Sequence, residues 1–139
     1  MLCGGVLAAG ICYGGLRVEA AGQAGPALYS AAQAKRGSEL FEKQQCGVCH
    51  GEDLAGADQA PALSGKEFLA KYTDLSILVL FDKIQKTMPA TKPGSLTHEQ
   101  TADILAYMLS ANKYAAGDAE LPADRDKLKA IQLPMPAAK

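Results

Sequence analysis

Apolar residues recur at helical spacing in three stretches of the chain, and nowhere do they alternate long enough to suggest a strand. In the first stretch Gly37, Leu40, Phe41 and Gln44 share one face, and Ser30 stands where an N-cap belongs. The spacing predicts a helix from Ala31 to Gln44. In the second, Leu75, Leu78, Val79 and Asp82 share a face, while Ile77, Leu80, Phe81 and Ile84 broaden the apolar side. That predicts a helix from Leu75 to Lys86, capped by Asp74 and touching more than one neighbour. In the third, Ile104, Leu105, Met108 and Leu109 form the buried stripe of a helix from His98 to Asn112, opened by Thr97 and Gln100 at capping-box spacing. A short helical piece is expected over Lys66 to Tyr72, and a final turn near Pro122, a residue suited to the first helical position. Met88 precedes Pro89, which disfavours helical backbone, so Met88 is expected to be extended. The fold class is therefore all-α with long loops, and such loops in a small helical domain need something to pack against.

The N-terminal stretch differs from the rest. Residues Leu2 to Leu16 carry no charge and are rich in small and apolar types, a length suited to the core of a secretory signal and short for a membrane span. Small residues follow at Val18-Glu19-Ala20 and Gly22-Gln23-Ala24, either of which would serve for cleavage. The expectation is a cleaved signal peptide over residues 1–24, an exported protein, and no membrane span in the mature form. Length bounds the remainder to one domain, and a net charge of -1 lacks the basic footprint of a nucleic-acid binder.

The chemistry concentrates in Cys46-Gly47-Val48-Cys49-His50. Two thiols three positions apart on a helical turn face the same way and can add to the two vinyl groups of one haem, while the adjacent imidazole points at its iron. Structural zinc needs four ligands, usually from two such pairs. Apart from Cys3 and Cys12 in the expected signal, there is no other cysteine, and His98 is the only other histidine. A thioredoxin-like redox pair needs a βαβ setting, which the pattern lacks. A disulfide closing so small a loop stabilises little. One covalent haem c is thus the expected cofactor. Met88, on a proline-fixed loop, is the expected sixth ligand; Met108 belongs to a helix stripe, and His98, first residue of a helix, is expected to face solvent. The alternative is a haem enzyme or gas sensor with an open sixth position.

In this order the residues resemble class I cytochrome c. The resemblance runs from Ala31 to Lys113 and rests on Gly37 and Phe41, Cys46 to His50, Pro61 and Leu63, Met88, and Ile104 with Tyr107. It implies that the first and last helices cross near Gly37 with Tyr107 packed there. It also implies that the Pro61 carbonyl accepts a hydrogen bond from His50, and that a cytochrome c domain spans 25–115, followed by an extension over 116–139 that packs on the domain or trails from it. Pro61-Ala62-Leu63-Ser64-Gly65, Phe68, Met88-Pro89, Lys92-Pro93-Gly94, Ala106 to Ser110 and Asn112 are similar to cytochromes associated with pyrroloquinoline-quinone dehydrogenases. By that resemblance the chain is a periplasmic electron carrier and not an enzyme. It would take electrons from an alcohol or sugar dehydrogenase and pass them to an oxidase or another cytochrome. Leu63, Phe68, Leu78 and Ile84 would wall the haem, and Tyr72, where tryptophan is usual, would lie by its propionates. Lys43, Lys66, Lys71, Lys83, Lys86 and Lys92 would steer an acidic partner if they ringed the haem edge. Their alternation with Glu42, Glu52, Asp53, Glu67, Asp74 and Asp82 fits an ordinary solvated surface better.

Overall fold

Two helices carry the fold. Helix α1 (Ala31–Lys43) starts at Ser30, whose Oγ accepts from Gln33 N at 3.1 Å. Helix α5 (His98–Ala111) starts with a complete capping box, Thr97 Oγ1 accepting from Gln100 N and Gln100 Oε1 from Thr97 N. The two cross at Gly37, where a Cβ would stand 1.9 Å from Asp103 O and 2.9 Å from Tyr107 Cβ. Only the lack of a side chain lets the backbones approach so closely. One turn on, the Phe41 and Tyr107 rings meet edge to face, centroids 5.5 Å apart, a geometry that adds about 1 kcal/mol to burial. Arg36 fastens the rim, bidentate to Asp103 and reaching Glu120 at 2.9 Å.

The computed structural model describes residues 25–57 and 60–136; the expected signal peptide, with Cys3 and Cys12, lies outside them. Between α1 and α5 run α2 (Gly47–His50), α3 (Lys66–Tyr72) and α4 (Ile77–Thr87), and α6 (Arg125–Ala130) closes the chain. The domain is mostly helical, as the periodicity predicts, with a little sheet besides. Strand β1 (Tyr29–Ser30) pairs in parallel with β2 (Ala116–Gly117). Two-residue strands carry no alternation, so periodicity could not reveal them.

Helix α4 departs from expectation at its start. Asp74 is not its cap: it sits at φ 65°, and Ser76 caps instead, accepting from Leu78 N at 3.3 Å. The reason is a partner far along the chain. Asp74 N donates to Leu133 O, Leu133 N to Leu75 O, and Ile77 N to Ile131 O, at 2.8–3.0 Å, so residues 74–76 are drawn into an extended pairing before the helix begins. The buried side of α4 is Ile77, Leu80, Phe81 and Ile84, whereas Leu75 is 40% and Val79 49% exposed and Leu78 is half-buried. Helix α6 likewise begins later than Pro122 suggests, because Asp124 Oδ1 accepts from Lys127 N at 2.9 Å and makes the better cap.

The segment after α5 belongs to the core. Leu121, Leu128 and Leu133 are at most 2% exposed. The buried Gln33 amide grips Leu121 from both sides, Oε1 accepting from its N at 2.7 Å and Nε2 donating to its O at 2.9 Å. Asp82 of α4 forms a bidentate pair with Arg125 of α6 and a third bond to Lys86.

Candidate functional site

After α1 the chain reverses through Gln45 at φ 56°, and Cys46 N donates back to Phe41 O at 3.0 Å. The helix crossing therefore positions the turn of α2 directly. Cys46 is half-buried, Cys49 is exposed, and neither thiol is in a disulfide. Burial pushes the Cys46 thiol pKa up. His50 N donates to Cys46 O at 3.0 Å, placing the imidazole on the same turn as both sulfurs.

His50 is 8% exposed. Its Nδ1 lies 2.9 Å from Pro61 O. A carbonyl only accepts, so Nδ1 carries a proton, and the nitrogen left to offer a lone pair to a metal is Nε2. Among the described residues Nε2 has no hydrogen-bond partner. The loop bearing Pro61 is held from two sides. Leu54 O accepts from Leu63 N at 2.8 Å and Ser64 N at 3.2 Å, and Gly56 packs so closely that a Cβ there would meet Ala62 N at 2.6 Å. From α5, buried Asn112 accepts from Gly65 N and donates to Leu63 O, both at 2.9 Å, while also bonding Met108 O at 2.8 Å.

Met88 closes α4 in extended backbone, φ -122° and ψ 154°, as its proline neighbour dictates, and is half-buried against the core. Leu63 is half-buried in the same way. Phe68 is 1% exposed and lies against Tyr72 with centroids 4.9 Å apart and planes tilted by 44°; Lys71 Nζ stands 5.4 Å from the Tyr72 ring. His98 is exposed at the start of α5, its ring edge-on to Phe81 at 5.6 Å. A polar cleft lined by His98, Glu99, Asp124, Arg125 and Asp126 contains none of the expected site residues.

This donor set suits a covalent haem. Two unbonded thiols and an imidazole with a committed Nδ1 and an available Nε2 share one turn. Half-buried apolar side chains, Leu63, Leu78 and Met88, stand on the core margin, where a flat apolar group would complete their burial. Among the described residues no three or more His, Cys, Asp or Glu gather to hold a bare metal ion. Sequence reasoning did not single out Leu54, since a carbonyl acceptor leaves no mark on residue type. Asn112 stands in the sequence as the end of a helix and as part of a resemblance, and neither signals a bond to the loop.

A family model described as Cytochrome c matches residues 34–112, more than half of the chain. No curated protein matches. Among solved structures, a chain of the sulfane dehydrogenase SoxCD from Paracoccus pantotrophus is similar in fold, with a TM-score of 0.57 and 24% identity over 80% of this chain. The aligned region is 56% of that chain, so this protein spans little more than half its length.

Proposed function

The chain belongs to the cytochrome c family, and from that premise we propose that it is an exported one-electron carrier with a single haem c, whose iron His50 and Met88 would ligate. The observation that carries this reading is the His50–Pro61 hydrogen bond beside two unbonded thiols. It orients the ring and leaves Nε2 as the ligating nitrogen. Cys46 and Cys49 supply the thioethers. When bound, the haem supplies a one-electron Fe(III)/Fe(II) couple. The soft Met88 thioether favours the ferrous form, and the apolar side chains of Leu63, Leu78 and Ile84 exclude water that would stabilise the extra ferric charge. Phe68 would back the cofactor wall, and Tyr72 would lie by the propionates.

The electron donor is a dehydrogenase, of the quinoprotein alcohol or sugar class, and the acceptor an oxidase or another cytochrome. This rests on the loop and tail residues quoted for the sequence resemblance, since the SoxCD likeness is one of fold alone. Residues 1–24 direct export to the periplasm. Among the described residues no helix is long and apolar enough to cross a membrane.

Covalent pigment is the test. Protein matured in a host that attaches haem c is expected to keep its colour through acid-acetone extraction and to lose it in the Cys46→Ala/Cys49→Ala double variant. A colourless, iron-free protein would overturn the reading. Rapid carbon monoxide binding by the untreated ferrous protein would favour an open sixth position instead.

A further inference from the structure

We infer that Asn112, at the C-terminal end of α5, is the positioning residue that holds the Pro61 carbonyl against His50 and thereby tunes the redox couple. The inference rests on the haem reading above. Asn112 is 4% exposed and uses every polar bond it makes on backbone. One bond, Nδ2 to Met108 O, is internal to α5. The other two cross to the loop, to Leu63 O and Gly65 N, 49 and 47 residues away in sequence. The loop is thus bracketed. Leu63 gives its N–H to Leu54 and its carbonyl to Asn112, and Pro61 lies two residues upstream.

Loosening one bracket lets the Pro61 carbonyl drift from Nδ1. The hydrogen bond makes the imidazole a stronger donor and favours the ferric state. Its weakening therefore shifts the equilibrium toward Fe(II), and the midpoint potential rises. Asn112 touches neither His50 nor Pro61 by any hydrogen bond, so it acts through the loop alone.

The test uses haem-loaded protein and three variants. Asn112→Ala removes all three bonds. Asn112→Ser keeps a hydroxyl able to bond Met108 O within the helix but is too short for the loop. Gln33→Ala removes an equally buried amide that binds only Leu121 among distant residues. Both Asn112 variants are expected to raise the potential by about 59 mV, a tenfold change for one electron, and to speed exchange of the His50 Nδ1 proton in the ferrous state. Gln33→Ala should lower the melting temperature and leave both readings unchanged. In the wild-type ferrous protein, the Gly65 amide and the His50 Nδ1 proton should report one common opening equilibrium after correction for intrinsic rates. That measurement decides the matter even if no Asn112 variant matures. An unchanged potential in coloured, folded Asn112→Ser, or independent opening of the two protons, overturns the inference and leaves the haem reading intact. Colourless wild-type protein overturns both.

Discussion

His50 is tied by three hydrogen bonds, through its N to Cys46 O, its carbonyl to Gly56 N and its Nδ1 to Pro61 O. Met88 is tied by one, its N to Ile84 O. The two proposed ligands are thus unequally anchored, and substitution of the weaker one should spare the attachment. Met88→Ala is expected to keep covalent colour, to lose the weak red absorption of ferric sulfur ligation, and to let the ferrous protein take up carbon monoxide. Absorption spectra of the two redox states check this, and persistence of the red band would exclude Met88. The same asymmetry explains legibility. Cys46, Cys49 and His50 could be proposed from adjacency alone, because one turn dictates their geometry. Met88 could be proposed only through Pro89, which fixes its backbone but says nothing about where its sulfur goes.

Helices α1 and α5 meet with no room at Gly37. Gly37→Ala is expected to cost about 3 kcal/mol through overpacking against the Asp103 carbonyl, seen as a lower denaturant midpoint with an unchanged slope. Since Cys46 hangs from Phe41 O, the same variant should attach haem less completely. Helices α4 and α6 are joined by charge as well as by the burial of Leu128. Beside Arg125, with Lys86 adding a second bond, the Asp82 carboxyl is held down from its ordinary 3.8 to about 2. A folded value below the unfolded one means that this contribution is whole above the ordinary value and is lost as pH falls through the folded one. Stability should therefore drop between about pH 4 and pH 2, and Asp82→Asn should flatten that limb while costing about 1 kcal/mol at neutral pH. Denaturant titrations across the acid range measure both.

On the scale of the molecule, the segment beyond α5 closes the core. It supplies β2 and α6, three buried leucines, and the strand-like pairing that sets the start of α4. Leu128→Ala, at a fully buried position, is expected to cost about 3 kcal/mol. Chemical denaturation would read this; a change below 1 kcal/mol would mean the segment is an appendage. The Cys46–His50 turn hangs from Phe41 at the end of α1, whereas the tail is gripped by Gln33 near its start, so this variant should keep its covalent colour.

What could be read from residue order alone is whatever depends on neighbours in the chain: the caps at Ser30 and Thr97, the stripes of α1 and α5, the single turn that carries Cys46, Cys49 and His50, and the extended backbone at Met88. Propensity, capping and one-turn geometry act over a few residues, so residue types suffice for them. The tertiary structure alone decided the β1–β2 pairing, the displacement of the α4 cap from Asp74 to Ser76, the burial of the tail, and the bracket of Leu54 and Asn112 around the Pro61 loop. Each of these joins groups distant in sequence, such as Gln33 to Leu121 at a separation of 88, and most use backbone atoms. Backbone donors and acceptors are alike in nearly every residue, so where they find partners depends on packing rather than on residue type.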